Sequence, residues 1–235
     1  MKPHKIVSHQ EWLEVRRAFL RKEKDFTRAR DALAAERRQL PWERVEKRYV
    51  FEGPQGEETL ADLFGPCSQL IVYHFMFGPD WEEGCKSCSF LADHFDPAVV
   101  HLAQRDVALL AASRAPLDRL EAFRKRMGWG FKWVSSLNSD FNSDYRVSFS
   151  EEELARGTVD YNFRQQAFPS SEAPGVSVFV KDKTGAIYHS YSSYGRGLDP
   201  FITTYQYLDL VPKGRDEADL PFTMAWVQLH DSYGT

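Results

Sequence analysis

The chain is poor in cysteine and contains no long apolar run. Only three of its 235 residues are cysteines, too few for the disulfide framework that stabilises many secreted proteins. The first 20 residues lack the apolar core of a signal peptide, and no segment approaches the length of a membrane span. The sequence therefore predicts a cytoplasmic protein whose cysteines carry out chemistry rather than hold the fold together.

An excess of positive charge is absent as well. The formal net charge is -4, so no general basic field attracts nucleic acid. We expect no nucleic-acid partner, no membrane partner and no cofactor. A hydrophobic content of 43% is enough for one α/β core of ordinary size with an appendage.

The appendage is an N-terminal arm over residues 1–45, followed by a domain over residues 46–235. Ser8 can cap a helical stretch that Leu40 and Pro41 end, as one bent helix or two. Its many charged residues indicate a solvated helical face. The sharper alternatives are a lid or a dimer arm, and a dimer arm would make the protein a homodimer through these helices.

Strand-like and helical segments alternate in the domain. Strands are predicted at 49–51, 69–77, 106–113, 176–180 and 186–191, and helices at 59–64, 90–103, 116–127 and 201–210. Strand, helix, strand, helix order indicates a right-handed parallel unit. We expect the second helix to bend at Pro97. Residues 135–171 show no clean period and predict an insertion that covers the site, while the residues from 212 onward form a tail.

The most informative motif is Cys85-Lys86-Ser87-Cys88, between an apolar strand and a helix. At the start of a helix, exposed N–H groups and the helix dipole favour the Cys85 thiolate, and Lys86 adds positive charge. Cys88, one turn further on, can displace a mixed disulfide formed at Cys85. The motif predicts a catalytic dithiol with Cys85 as nucleophile and Cys88 as resolving thiol.

Two other interpretations stay open at this stage. Two thiolates could bind a metal ion with a histidine, and the histidines in suitable segments are His74, His94, His101 and His189, although none has diagnostic spacing. Alternatively, the pair could belong to a non-catalytic protein that holds a small ligand. We interpret His74 as a core histidine, His94 and His101 as surface residues, and no residue is assigned to a metal.

Residues near the hairpin extend the site. His189 lies on the strand beside Pro174, and Tyr191 belongs to an aromatic set that could line an apolar pocket. Arg196, beside Tyr194, could hold an anion. We therefore predict that His189 and Tyr191 contact the substrate.

The order of elements resembles the thioredoxin-like superfamily over residues 48–211. The resemblance rests on Trp81 ahead of the dithiol and on Pro174, followed at the expected distances by Phe179 and Gly185. It implies a thioredoxin-like three-layer α/β/α sandwich with a mixed central sheet and an N-terminal helical extension. In thioredoxins a cis-proline faces the dithiol, so the resemblance also implies that Trp81 and Pro174 contact a protein or small-molecule thiol or disulfide substrate.

Nearly the whole chain resembles the uncharacterised, mostly bacterial domain-of-unknown-function family 899. The matching segments are Glu36 to Trp42, Tyr73 to Pro79, Gly128 to Ser136 and His189 to Gly197. This resemblance implies a fold but no established reaction.

The chain also departs from better-known relatives. The spacer is Lys86-Ser87 instead of the Gly-Pro of thioredoxin, and Pro79 stands where thioredoxin has a buried Asp. Peroxiredoxins need a hydroxyl residue and a proline at the positions that Glu82 and Gly78 occupy here. Peroxidase chemistry by that template is not expected, because the hydroxyl that orients the peroxide is missing.

Overall fold

A computed structural model describes residues 4–234. Contacts along the chain group into two compact units that divide between Pro41 and Trp42. The first three residues of the predicted arm and the last residue of the predicted tail lie outside the described residues.

The first unit is dominated by one uninterrupted helix, α1 (His9–Arg37). Its N-terminus is a capping box: the Ser8 hydroxyl accepts a hydrogen bond from the Glu11 amide, and the Glu11 carboxylate accepts one from the Ser8 amide. None of the residues of α1 is buried. Trp12, Phe19, Phe26 and Leu33 are each more than half exposed, so the helix carries a row of exposed apolar side chains.

The second unit is built on an eight-stranded mixed sheet with the order β1-β10-β9-β4-β5-β6-β2-β3. Its strands are β1 (Glu43–Arg44), β2 (Val50–Gly53), β3 (Gly56–Thr59), β4 (Gln69–His74), β5 (Val107–Ser113), β6 (Lys132–Ser135), β9 (Gly175–Lys181) and β10 (Ile187–Tyr194). Strands β4, β5 and β6 are parallel, whereas β9 is antiparallel to both β4 and β10. A separate hairpin pairs β7 (Val159–Tyr161) with β8 (Arg164–Gln166).

Helices cover both faces of the sheet. They are α2 (Leu60–Leu63), α3 (Lys86–Ala92), α4 (Phe95–Ala103), α5 (Leu117–Arg126), α6 (Phe141–Asp144), α7 (Glu151–Ala155) and α8 (Thr203–Leu208). On β4, Tyr73 faces the core that contains α3, α5 and α8, whereas Leu70 and Val72 face the core that contains α2 and α6. This alternation is the period of two of a strand buried on both sides. The mixed sheet with helices on both faces is the fold class that the sequence predicts.

The sequence predicts a bend at Pro97 in the helix after the dithiol, and this prediction is wrong. Helix α3 is capped at Asp93 and α4 begins after His94, so the chain breaks before Pro97. Pro97 is the third residue of α4, where a backbone N–H has no partner within the helix anyway. The proline therefore helps to start α4 rather than to bend it.

Two other predicted boundaries also change. The turn after β2 leads into β3, which the sequence pattern did not reveal. The predicted helix over 201–210 is shorter, because a 3₁₀ helix (Gly195–Phe201) that contains Pro200 precedes α8. Among the described residues, no helix is both long enough and apolar enough to cross a membrane.

Candidate active site

Cys85 lies where the chain leaves the central strand β4 and enters α3. It is the N-cap residue of α3, its amide donates to the Met76 carbonyl at 3.0 Å, and its own carbonyl accepts from the Ser89 amide at 2.9 Å. These hydrogen bonds hold the backbone in place at the N-terminus of α3. Cys85 is half-buried and Cys88 is 1% exposed, and both are free thiols.

The two thiols differ in acidity. A hydrogen bond from the Cys88 thiol, helped by the amides of Cys88 and Ser87, lowers the pKa of Cys85 to about 7 although burial opposes the shift. Burial, together with the neighbouring Cys85, raises the pKa of Cys88 well above its usual value. Near neutral pH, therefore, a substantial fraction of Cys85 is the reactive thiolate while Cys88 stays protonated.

Tyr73 contacts the buried Cys88 thiol. Its hydroxyl is hydrogen-bonded to Cys88, and the Met76 amide donates to the Cys88 sulfur at 3.5 Å. Burial, then the neighbouring Cys88, raises the pKa of Tyr73 well above its usual value. Tyr73 is not among the site residues predicted from the sequence, although its place in the alternation of β4 could have assigned it to the same face as the dithiol.

The dithiol opens into a cavity of about 570 Å³. Side chains from β4, α3 and the segment 195–224 line it, with apolar surface supplied by Met76, Leu91, Leu198, Ile202 and Met224. Pro174, immediately before β9, also contributes to the wall. The predicted tail is therefore part of the site, which the sequence pattern did not reveal because this segment has no regular period.

Charged side chains form the rim of the cavity. Arg215 pairs with Asp209 through two 2.8 to 2.9 Å contacts and with Asp199 at 2.8 Å, and its guanidinium stacks 3.9 Å above the Tyr205 ring. Glu217 Oε1 accepts from the Tyr205 hydroxyl, the Trp226 indole and the Met224 amide at 2.6 to 3.0 Å. These contacts attach the C-terminal segment to α8.

The insertion supports the wall instead of covering the cavity. The Tyr161 hydroxyl donates to the Pro174 carbonyl at 2.7 Å and accepts from the Gly195 amide at 3.0 Å. No residue between 135 and 171 lines the cavity. The expectation of a covering insertion is therefore wrong, because Val147, Phe149, Val159 and Tyr161 pack into a core of their own beside the site.

Of the predicted substrate contacts, Pro174 lines the cavity and Trp81 does not. Trp81 packs over Gly78, where an added Cβ would lie 2.8 Å from the indole nitrogen, and its carbonyl accepts from Arg119 at 2.7 Å. No peptide bond is cis among the described residues, so the bond before Pro174 is trans. The resemblance to thioredoxin thus holds for the position of this proline and not for its isomer.

The structure does not bring His189 or Tyr191 into the cavity lining. The His189 ring contacts Tyr145 and Phe179, on the sheet face opposite the dithiol. A hydrogen-bonded row connects it through Ser192 and Ser177 to His74, with separations of 2.8, 2.9 and 2.8 Å. The geometry gives no support to His189 as a substrate contact, because β10 turns its side chain away from Cys85.

The remaining histidines do not assemble with the thiols. His94 is half-buried, with its Nε2 3.3 Å from the Thr204 hydroxyl, and His101 is exposed. Within residues 4–234, no group of three or more His, Cys, Asp and Glu side chains could hold a metal ion.

The chain has a mixed sheet with a dithiol at the start of the helix that follows the central strand. A strand that begins directly after a proline lies beside that dithiol. Together these features define a thioredoxin-like protein. More narrowly, the chain belongs to the family described as bacterial protein of unknown function (DUF899), whose model matches residues 1–233. The resemblance to this family drawn from the sequence is thereby confirmed.

Solved structures similar to the chain include two peroxiredoxins and one disulfide exchange protein. Peroxidoxin BcpB from Mycobacterium tuberculosis shares 11% identity over 72% of this chain and 97% of its own, with a TM-score of 0.46. A mutant of Peroxiredoxin Q from Xanthomonas campestris shares 12% identity over 67% and 90%, with a TM-score of 0.44. A protein described as thiol:disulfide interchange protein DsbE from Chlorobium tepidum shares 12% identity over 71% and 98%, with a TM-score of 0.43. No curated protein matches the chain.

Proposed function

We propose that the protein is a thiol–disulfide oxidoreductase in which Cys85 is the nucleophile and Cys88 the resolving thiol. The observation that carries the proposal is the difference between the two thiols. Cys85 is half-buried in a cavity and its pKa is lowered to about 7, whereas Cys88 is buried and donates a hydrogen bond to Cys85. Such a pair separates attack from resolution.

The reaction has two steps. The Cys85 thiolate attacks one sulfur of a substrate disulfide, which forms a mixed disulfide and releases one substrate thiolate. The Cys88 thiol then passes its proton to the substrate thiolate released in the first step and attacks the Cys85 sulfur, which releases the second substrate thiolate and leaves a Cys85–Cys88 disulfide. The substrate gains two electrons, and an external dithiol or two external thiols must return two to the protein.

We propose that the protein acts in the cytoplasm, because the reducing thiol pool there can regenerate the dithiol after each turnover. Pro174 is included as a substrate contact, because it lines the cavity together with Cys85.

Reduction of a disulfide substrate with dithiothreitol as electron donor tests the chemistry. Cys85→Ser should abolish the activity, and pre-reduced Cys88→Ser, mixed with the substrate after dithiothreitol is removed, should stop at a mixed disulfide visible by mass spectrometry. Cys67→Ser is the matched control and should retain full activity, because Cys67 is buried and lies outside the cavity lining. Equal losses in all three variants, or stoichiometric zinc binding by the purified protein, would contradict the assignment.

We also propose that α1 pairs with the α1 of a second copy. Trp12, Phe19, Phe26 and Leu33 recur every seven residues, the spacing of one seam position in a coiled coil. In a parallel pair, Glu11 would face Arg16 of the other copy and Asp25 would face Arg30 of the other copy. These flanking positions thus bring opposite charges together.

Sedimentation of the full chain tests this pairing. Replacing both Phe19 and Phe26 with Glu should convert a dimer to a monomer, because two charges would enter the seam. Leu210→Glu is the control, since Leu210 is 81% exposed and lies outside α1. A wild-type chain that sediments as a monomer at micromolar concentration would exclude the pairing.

A further inference from the structure

The dithiol is reached through a cavity, which limits the substrates that it can meet. At about 570 Å³, the cavity lies within the roughly 300 to 1,000 Å³ typical of sites for small organic ligands. Cys85 is half-buried and lines this cavity, so a substrate that enters the cavity can reach its sulfur. This geometry suits a small molecule better than a folded protein.

The cavity wall distinguishes among small molecules. Its apolar part is formed by Met76, Leu91, Leu198, Ile202 and Met224. An apolar body of similar size can replace water there with a gain in free energy.

The carboxylates around the cavity already have hydrogen-bond partners within the protein. Both oxygens of Asp209 accept from Arg215, and Asp199 Oδ2 accepts from Arg215 at 2.8 Å. Glu217 Oε1 accepts three hydrogen bonds. These contacts hold the wall together.

Arg196 is the cationic group of the rim that remains available. Its side chain is 83% exposed, and its contact with Asp199 is long, at 3.2 Å, and shared with Arg215. A guanidinium offers five N–H donors in a planar fork that fits a carboxylate. Arg196 can therefore bind an anionic group of a ligand that reaches from the rim to Cys85.

On the basis of the dithiol chemistry proposed above, we propose that the substrate is a small organic disulfide with an apolar body and a carboxylate. The body lies in the cavity beside Cys85, and the carboxylate contacts Arg196. The Cys85–sulfur bond forms as the substrate S–S bond breaks, and Cys88 then displaces the bound half as its thiolate. Arg196 takes no part in the electron transfer and is a specificity residue.

Two aromatic disulfides that differ in charge test the proposal. Dithiobis(nitrobenzoate) carries carboxylates and 4,4′-dithiodipyridine carries none, and both release a coloured thiol. Arg196→Gln should slow the reaction of the reduced protein with the carboxylate probe about two- to fivefold, as expected for an exposed ion pair, and leave the pyridine probe unchanged. Lys183→Gln, an exposed position outside the cavity lining, makes the same charge change and should alter neither rate.

A third measurement tests substrate size. The protein and free dithiothreitol can each reduce both substrates. The rate of reduction by the protein, divided by the rate of reduction by free dithiothreitol, should be higher for the carboxylate probe than for insulin. An Arg196→Gln variant that slows both probes equally or neither, or a larger relative rate with insulin, would overturn the small-molecule proposal while Cys85-dependent reduction persisted. Equal rates for Cys85→Ser and wild type with both probes would instead overturn the dithiol chemistry itself.

Discussion

The Tyr161 hydroxyl donates a 2.7 Å hydrogen bond to the carbonyl of Pro174, and the same oxygen accepts a 3.0 Å bond from the Gly195 amide. One side chain of the insertion thus ties together two segments that wall the cavity. Pro174 begins one wall and Gly195 the other. The insertion therefore acts on the site indirectly, by holding the spacing between these walls.

Tyr161→Phe should destabilise the protein by about 1 to 2 kcal/mol, because the Pro174 carbonyl and the Gly195 amide both lose a partner in a largely buried place. Urea unfolding measures the change in the free energy of unfolding. Tyr207→Phe removes a hydroxyl from a side chain that is 67% exposed and should have no effect. Equal stability of the two variants would show that Tyr161 does not hold the walls.

The reactivity of Cys85 should depend on pH around neutrality. Because hydrogen bonding from Cys88 lowers the pKa of Cys85 to about 7, the rate of alkylation by iodoacetamide should rise through about pH 7 and level off above it. Cys88 should stay unlabelled in this range, since burial raises its pKa. In Cys88→Ala the midpoint should move upward. A midpoint unchanged by this substitution would remove Cys88 as the cause.

Glu217 should control how firmly the C-terminal segment closes the cavity. Glu217→Ala leaves the Tyr205 hydroxyl, the Trp226 indole and the Met224 amide without their acceptor, so we expect a loss of about 1 to 3 kcal/mol. We also expect faster proteolysis between residues 211 and 224.

Two controls accompany this variant. Glu217→Gln keeps an acceptor oxygen and should lose less stability than Glu217→Ala. Asp219→Ala changes an exposed acid nearby and should behave as wild type. Identical proteolysis of Glu217→Ala and wild type would show that other contacts hold the segment.

His74 should make the protein sensitive to acid. Burial lowers the pKa of His74 from 6.5 to about 3, and its Nδ1 has no hydrogen-bond partner. As the pH falls, His74 therefore takes up a proton near pH 6.5 in the unfolded chain but only near pH 3 in the folded protein. The contribution to stability is complete above pH 6.5 and is lost, at about 1.4 kcal/mol per pH unit, as the pH falls below it.

His74→Phe should flatten this part of the pH profile, because the residue that takes up the proton on unfolding is gone. The free energy of unfolding, measured in urea between pH 7.5 and 4.5, gives the two slopes. Parallel profiles for the variant and wild type would show that other groups cause the acid sensitivity.

Much of the fold could be predicted from local pattern. The apolar run before Cys85 and the run ending at Ser113 are both strands, because their continuous apolar character requires cover on both faces. The Ser8 cap and the turn at Asp182 to Gly185 were readable from residue type alone. Pro97 misled the prediction, because the effect of a proline depends on its place within a helix.

The candidate site was predictable only in its centre. The sequence by itself determined the position of the dithiol, since the residue spacing and the helix start place Cys85 ahead of Cys88 whatever surrounds them. Tertiary structure alone decided the rest. It placed Glu217 and Arg215 from the tail on the rim and turned His189 to the other face of the sheet. These contacts join residues distant along the chain, and no local period records which of them meet.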